Sequence, residues 1–283
     1  GYIMPGEWVS AVEQTQVGHL PDPAVDMNLP IGIKPYFTKL TYGGVGFAIL
    51  EDRKFKTGPM SMPEETRRDG EGADLLGEAQ EAFLKQWSMD WSGQQMKCAL
   101  SQTIFCTAAT HTNHTLKRTR GYFDSGAWPK AARNRAVRII GDCNALSIHG
   151  DQHLGVLLRQ GVDDFDDAGY AFMVPGTANG FPRAWWPGVN KGVPKPNQDF
   201  TGKFHDDAGH PIHVLAVGNP EPGSNLLPKS EDPMAIGYRK GSGYGMVEFQ
   251  KKDGTATISM YRLGDEEEMF SGFPQTIKVG TKP

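Results

Sequence analysis

The sequence predicts an α/β protein whose C-terminal part is mainly antiparallel β-structure, and the order of its apolar segments carries that prediction. Over residues 41–153, short apolar runs alternate with segments of helical periodicity, which is typical of parallel strands joined by helices. Over residues 154–283, apolar runs follow one another with turn residues between them, which favours antiparallel pairing. The 35 glycines and 20 prolines among 283 residues indicate long ordered loops on this scaffold.

The first 40 residues differ from the rest in being rich in proline and polar side chains without a sustained apolar period. We expect an irregular arm over residues 1–40 that wraps the scaffold. No linker or low-complexity tract divides the sequence, so we expect residues 1–283 to form a single domain.

The first strand and the first helix of the α/β part are predicted from simple patterns. Residues 45–50 form an apolar run that stops at charged residues, which is typical of a strand buried on both faces. Leu76, Ala79, Phe83 and Trp87 recur at helical spacing and predict an amphipathic helix.

Two further strands and a second helix complete the α/β part. Residues 98–104 and 145–148 are apolar runs that predict strands. Pro129 stands where a helix between them would begin, because proline suits the first turn of a helix. The order strand, helix, strand, helix, strand predicts a parallel core.

The C-terminal part contains five apolar runs that predict strands, and a turn signal at residues 252–254 predicts a hairpin between the last two. The runs are residues 156–158, 171–174, 212–217, 245–249 and 257–261.

Composition excludes several classes of protein. The formal net charge is −4 and is spread along the chain, so we expect no nucleic-acid-binding patch. No stretch of about 20 apolar residues predicts a membrane span. Cys98, Cys106 and Cys143 form no CxxC pair, so neither a zinc knuckle nor a disulfide framework is indicated.

The strongest local feature is the sequence Gly150-Asp151-Gln152-His153 directly after an apolar strand. Ligands of α/β sheets gather at the carboxyl ends of strands, and Asp151 and His153 would face the same side of an extended backbone. Gly150 would allow a sharp turn there. A carboxylate and an imidazole are ordinary ligands of Zn, Fe or Mn. The alternative is a buried aspartate that caps a turn beside a surface histidine.

This motif resembles the closing motif of PhoD-like phosphatases, the alkaline phosphatase D family of the metallophosphoesterase superfamily. Other segments agree with that family in order and spacing, with Glu51 in place of an aspartate of the family. These segments are residues 49–53, residues 76–80, Pro129 with Arg133, residues 167–172, residues 182–185 and residues 243–245.

The resemblance implies a four-layer α/β/β/α sandwich with two metal ions at the sheet edge. It implies hydrolysis of a phosphate-ester substrate by a metal-bound water, with two divalent or mixed-valence ions of Fe, Zn, Mn or Ca. In that reading Asp151 lies at the second metal and His153 ligates the first. Family members are often exported, so the resemblance also implies the bacterial periplasm or secretion.

The earlier metal motifs of the family would precede Gly1, and none occurs in this sequence. We therefore expect the chain to be the C-terminal half of such a domain. An N-terminal segment or another subunit would complete the site.

Several other residues are candidates for the lining of the active site. His111 and His114 follow a core strand, so they could line a phosphate pocket or complete the second metal, or they could belong to a solvated loop. Arg183 and Trp185, with Trp186, could cap a substrate, or the tryptophans could fill the core.

A second cluster of potential ligands, residues 205–213, contains three histidines and two aspartates. Residues 207–210 have the character of a turn that leads into the strand at Ile212, which favours a hairpin over a metal site.

The rival function is a non-catalytic β-rich module that binds a glycan or a protein through Arg183, Trp185 and Trp186. Metal content separates the two functions, because only the hydrolase needs bound ions.

Overall fold

The computed structural model describes residues 4–112, 117–119, 121, 123–188, 200–224 and 231–282. The helices in this part are α1 (Gly6–Val17), α2 (Glu64–Arg67), α3 (Glu78–Met89), α4 (Lys130–Asp142) and α5 (Pro233–Arg239). The strands of the first half are β1 (Thr38–Tyr42), β2 (Val45–Ile49), β3 (Met96–Thr103), β4 (His111–Thr112) and β5 (Leu146–Gly150). The strands that follow are β6 (Gly155–Gln160), β7 (Tyr170–Met173), β8 (Arg183–Ala184), β9 (Gly202–His205), β10 (Pro211–Gly218), β11 (Gly243–Gln250), β12 (Thr255–Arg262), β13 (Asp265–Met269) and β14 (Gln275–Lys278).

The larger sheet has its strands in the order β1-β2-β3-β5-β7-β6-β10-β9. Strands β2, β3, β5 and β7 pair in parallel, because α3 returns the chain from β2 to β3 and α4 returns it from β3 to β5. The outer pairs are antiparallel. The predicted parallel core and the mainly antiparallel C-terminal part are both confirmed.

A smaller antiparallel sheet contains β11, β12 and β13, and β14 also pairs with β12. The hairpin predicted at residues 252–254 joins β11 to β12, where Gln250 pairs with Thr255. The larger sheet continues past the predicted boundary at residue 153, since β6 and β10 belong to it.

The chain stacks in layers because each face of the larger sheet buries apolar side chains against a different partner. On one face, Ala99 packs with residues of α3 and α4 such as Leu84 and Ala136. On the other face, Leu146 and Phe172 pack with residues of the smaller sheet such as Ile258. The described residues therefore form helix, sheet and sheet layers, and the fourth, helical layer implied by the resemblance stays a prediction.

The irregular arm expected over residues 1–40 is interrupted by helix α1, which is a correction to the sequence analysis. The helix was missed because it buries a single residue, Val9, so its apolar period is weak. An ion pair between Glu13 and Lys54 joins it to the segment after β2. Residues 18–37 contain no helix or strand.

Strand β1 and helix α5 are among the other elements that escaped the sequence analysis. Strand β1 is an edge strand with exposed side chains, and Tyr42 is 77% exposed, so it lacks an apolar run. Helix α5 lies between β10 and β11, where only strands were expected. Its start has an ordinary signal, because the side chain of Asp232 accepts from the N–H of Met234 and Pro233 follows.

No helix in the described part of the chain is long and apolar enough to cross a membrane. Cys98, Cys106 and Cys143 are all buried and free.

Gln80 joins the start of α3 to the end of β2, and its removal tests this connection. Its amide accepts from Glu51 N at 2.7 Å and donates to Glu51 O at 2.8 Å and Leu76 O at 2.9 Å. The change Gln80→Met conserves volume but leaves these buried groups unpaired. We expect it to lower the free energy of unfolding by about 2 to 4 kcal/mol in urea titrations followed by circular dichroism. The change Gln86→Met, on the exposed side of the same helix, is the control, and equal effects of the two would contradict the prediction.

Candidate active site

The sequence motif at residues 150–153 lies at the carboxyl end of β5, next to the ends of β2 and β3. A cleft of about 200 Å³ opens there. The lining residues are Thr107, Ala109, Gly121, Asp124, Ser125, Asp151, Gln152, His153 and Arg183. The structure therefore brings Asp151, His153 and Arg183 to one cleft.

The backbone of the motif forms a turn and is not extended as the sequence analysis assumed. The φ angles are 72° at Asp151 and 55° at His153, which is the left-handed region. Gly150, expected to make the turn, does not have a positive φ. Left-handed conformations cost about 1 to 2 kcal/mol in a residue with a side chain, and they cluster at functional sites. The two side chains meet in the cleft through this turn.

The buried side chain of Gln152 holds the turn in place. Its Oε1 accepts from the N–H groups of Ala108 at 3.0 Å and Ala109 at 3.1 Å. Its Nε2 donates to Cys106 O at 2.8 Å. The motif is thereby fixed to the loop after β3, which offsets the strain. The sequence analysis used Gln152 only as a spacer.

The ring of His153 is oriented by a backbone carbonyl. Its Nδ1 lies 2.7 Å from Phe181 O, and since a carbonyl oxygen only accepts, Nδ1 carries the proton. Nε2 is then the acceptor. Histidines that bind metals commonly have their other ring nitrogen bonded in this way. His153 is half-buried and Asp151 is exposed, so both can be reached from the cleft.

Several charged residues near the cleft belong to the segment that follows β2. Asp52 is buried, which raises the pKa of its carboxyl, and its Oδ2 accepts from Thr103 N at 2.7 Å and Ser101 Oγ at 2.9 Å. Its Oδ1 has no hydrogen-bond partner among the described residues. Arg53 and Lys56 both interact electrostatically with Asp52 and Asp151. Three carboxylates near the cleft, those of Asp52, Asp124 and Asp151, are thus accompanied by cations.

The donor set fits part of a metal site. A carboxylate at Asp151 and a free Nε2 at His153 suit Zn, Fe or Mn. In the part of the chain that the structure describes, no group of three or more His, Cys, Asp or Glu side chains could hold a metal ion. Asp151 and His153 alone therefore do not form a complete ligand set.

Two of the proposed lining residues lie elsewhere, and one cannot be placed. Trp185 is 1% exposed and its Nε1 donates to Phe200 O at 3.0 Å, so it fills the core and does not line the cleft. His111 is 2% exposed in β4, and its ring centre lies 5.5 Å from that of Trp186. It therefore neither lines the cleft nor belongs to a solvated loop. His114 lies outside the described residues.

The burial of Trp185 and Trp186 also weakens the rival function. Trp186 is 2% exposed, and both rings belong to one apolar cluster of the larger sheet. A glycan or protein ligand could not reach them in this structure.

The cluster at residues 205–213 forms a hairpin turn, as predicted. It joins β9 to β10, and the buried carboxylate of Asp206 accepts from Ala208 N at 2.9 Å and His210 N at 2.8 Å. Its other oxygen accepts from Thr107 N at 2.8 Å. Asp206 is thus a structural acceptor that supports the loop lining the cleft.

Thr107, Asp124 and Ser125 were missed by the sequence analysis. They lie in loops without a recognisable pattern and reach the cleft only through the fold. No signal in the sequence would have identified them.

No protein-family model matches the sequence, and none of the curated proteins does. Among solved structures, the chain is similar to one described as "Structure of PhoD", with 18% sequence identity and a TM-score of 0.46. The match covers 96% of this chain and 50% of that chain. The chain thus spans about half the length of the structure that it matches.

The buried ring of His210 makes the stability of this region pH-dependent. Burial lowers the pKa of His210 to about 3, and Nε2 donates to Ala127 O at 2.8 Å. The unfolded chain binds a proton from about pH 6.5 downward that the folded chain does not bind until about pH 3, so acid destabilises the fold in this window. The change His210→Gln replaces the ring N–H with an amide N–H donor that does not titrate. We expect it to reduce the dependence of the unfolding free energy on pH by up to about 1.4 kcal/mol per pH unit.

Urea unfolding between pH 7 and pH 4 would measure the effect. His19→Gln, at an exposed position, serves as the control. Parallel stability curves for the wild type and His210→Gln would contradict the assignment.

Proposed function

We propose that this chain contributes to a metal-dependent hydrolase of phosphate esters, in which Asp151 and His153 are metal ligands. The observation that carries the proposal is the hydrogen bonding of the His153 ring. Its Nδ1 is bonded to Phe181 O at 2.7 Å, which leaves Nε2 for a metal in the cleft that Asp151 also lines. The resemblance of residues 150–153 to the closing motif of PhoD-like phosphatases supports the same assignment.

The cleft has the space and the positive charge to hold a phosphoryl group. Its volume of about 200 Å³ accommodates a small anion, and Arg183 supplies a guanidinium, which binds phosphate oxygens through paired donors. The backbone N–H of Arg183 donates to His153 O at 3.3 Å, so the anion-binding residue and the metal ligand are joined directly. We assign Arg183 to the substrate phosphate.

Bound divalent ions would polarise the phosphoryl oxygens and supply a water of lowered pKa as the nucleophile. The residues of this chain would hold the ions at Asp151 and His153 and orient the ester at Arg183. The candidate metals are Fe, Zn, Mn and Ca, and the candidate substrates are phosphate monoesters and diesters.

Two ligands among the described residues do not hold two ions, so we propose that an N-terminal segment or another subunit supplies the remaining ligands. On the resemblance alone, we also propose that the protein acts in the bacterial periplasm or after secretion.

Loss of a metal ligand is the first test. In the natural full-length protein supplied with Zn, Fe, Mn or Ca, we expect His153→Ala to lower the hydrolysis of p-nitrophenyl phosphate or bis(p-nitrophenyl) phosphate by more than about 100-fold. Metal analysis should show a matching loss of bound ions with an unchanged fold. His19→Ala is the control at an exposed histidine. Wild-type activity in His153→Ala, or less than one ion per chain in the wild-type protein, would refute the proposal.

The assignment of Arg183 predicts a different kinetic effect. Arg183→Gln removes a charge-assisted contact worth about 1.5 to 3 kcal/mol, so KM should rise by about 10- to 150-fold. Bound metal should stay at the wild-type level, because Arg183 is not a ligand. An unchanged KM, or a loss of metal as large as that in His153→Ala, would rule out a phosphate-binding role.

A further inference from the structure

Residues 123–125, here called the wall segment, lie in the loop before α4 and contribute Asp124 and Ser125 to the cleft. They belong to no helix or strand, and the backbone N–H groups of Asp124 and Ser125 bond locally, to Gly121 O at 3.0 Å. Two cations that follow β2 bond to all three residues of this segment.

Lys56 binds the two ends of the wall segment. Its Nζ donates to Phe123 O at 2.7 Å and to Ser125 O at 2.7 Å, and it lies 5.7 Å from the centre of the Trp128 ring. An ammonium has three donors, and these contacts engage most of them. Burial, followed by the charge of Arg53, lowers the pKa of Lys56 to about 8, so it is mainly a cation at neutral pH.

Arg53 binds the middle of the wall segment. Its Nη1 donates to Asp124 O at 2.6 Å and its Nη2 donates to Asp124 Oδ1 at 2.9 Å. The same guanidinium therefore fixes both the backbone and the carboxylate of Asp124. That carboxylate is 76% exposed, so without Arg53 few contacts would orient it.

The backbone that carries these two cations is rigid because the segment after β2 is hydrogen-bonded at the carboxyl ends of β2 and β3. Arg53 N donates to Glu51 Oε1 at 2.9 Å, and the neighbouring Asp52 accepts from Thr103 N at 2.7 Å at the end of β3. Lys54 is directed differently and pairs with Glu13 of α1. Side chains supported by a fixed edge can hold a loop within the tolerance that catalysis requires.

We propose that Arg53 and Lys56 are positioning residues that hold the wall segment against the cleft, so that the site has the geometry needed for phosphate esters. This inference rests on the proposed function. Neither residue lines the cleft, and both act through Asp124 and Ser125. The charges that accompany them are those of Asp52, Asp124 and Asp151.

The first experiment measures the wall segment without reference to activity. Amide hydrogen exchange is followed in peptides that cover residues 123–128 of the wild-type protein, Lys56→Met and Lys56→Arg. We expect faster exchange in Lys56→Met and near wild-type exchange in Lys56→Arg, which keeps a cation. Lys85→Met, at an exposed position of α3, is the matched control. Unchanged exchange in Lys56→Met would overturn the inference.

The second experiment asks whether the wall segment matters for the reaction. With p-nitrophenyl phosphate, Lys56→Met should lower kcat/KM by about 10- to 100-fold, because misplacement of a site by about 1 Å has effects of this size. Lys56→Arg should recover most of this loss, and bound metal should stay at the wild-type level in both. If Lys56→Met shows faster exchange but an unchanged kcat/KM, the cations stabilise the wall segment without affecting the reaction. That outcome would overturn their role in positioning the site. If the wild-type protein hydrolyses no phosphate ester, the proposed function fails, and the exchange experiment alone decides whether the cations hold the wall segment.

Discussion

The candidate site depends on how the buried loop after β3 satisfies its backbone hydrogen bonds. Residues 103–109, from the last residue of β3 onward, are buried, and an unpaired buried N–H costs about 1 to 3 kcal/mol. Three distant side chains provide acceptors. Asp52 binds Thr103 N, Asp206 binds Thr107 N, and Gln152 binds the N–H groups of Ala108 and Ala109. The ends of β2 and β5 and the hairpin between β9 and β10 are thereby fixed around one loop.

The same constraint explains the electrostatics of the cleft. Because Asp52 and Asp206 serve as buried acceptors, burial raises the pKa of both carboxyls, and cations lie near them. Arg133, fully buried, donates to Phe105 O at 2.7 Å within that loop and favours the charged form of Asp206. The exposed carboxylates of Asp124 and Asp151 remain available at the cleft. Burial thus separates these two structural carboxylates from the exposed carboxylates that line the cleft.

Much of the scaffold could be predicted from the sequence because its elements follow simple periods. The apolar runs at β2, β3 and β5 and the helical spacing in α3 lead directly to the parallel core. Helix α1 and strand β1 could not be predicted in this way, because they bury few side chains and so lack an apolar period. Asp151 and His153 were identified from their place after a strand, but the left-handed turn that brings them together was not.

By itself the sequence determined the alternation of strands and helices, the antiparallel C-terminal part and the position of the 150–153 motif at a strand end. These follow from side-chain periodicity, which is a local property. The tertiary structure decided which polar residues share the cleft and which fill the core. Arg183 lines the cleft while Trp185, two residues later, is buried, and Asp124 lines the cleft while its carboxylate accepts a hydrogen bond from the distant Arg53. Such contacts join residues far apart in the chain, so they depend on the packing of whole elements and leave no local pattern in the sequence.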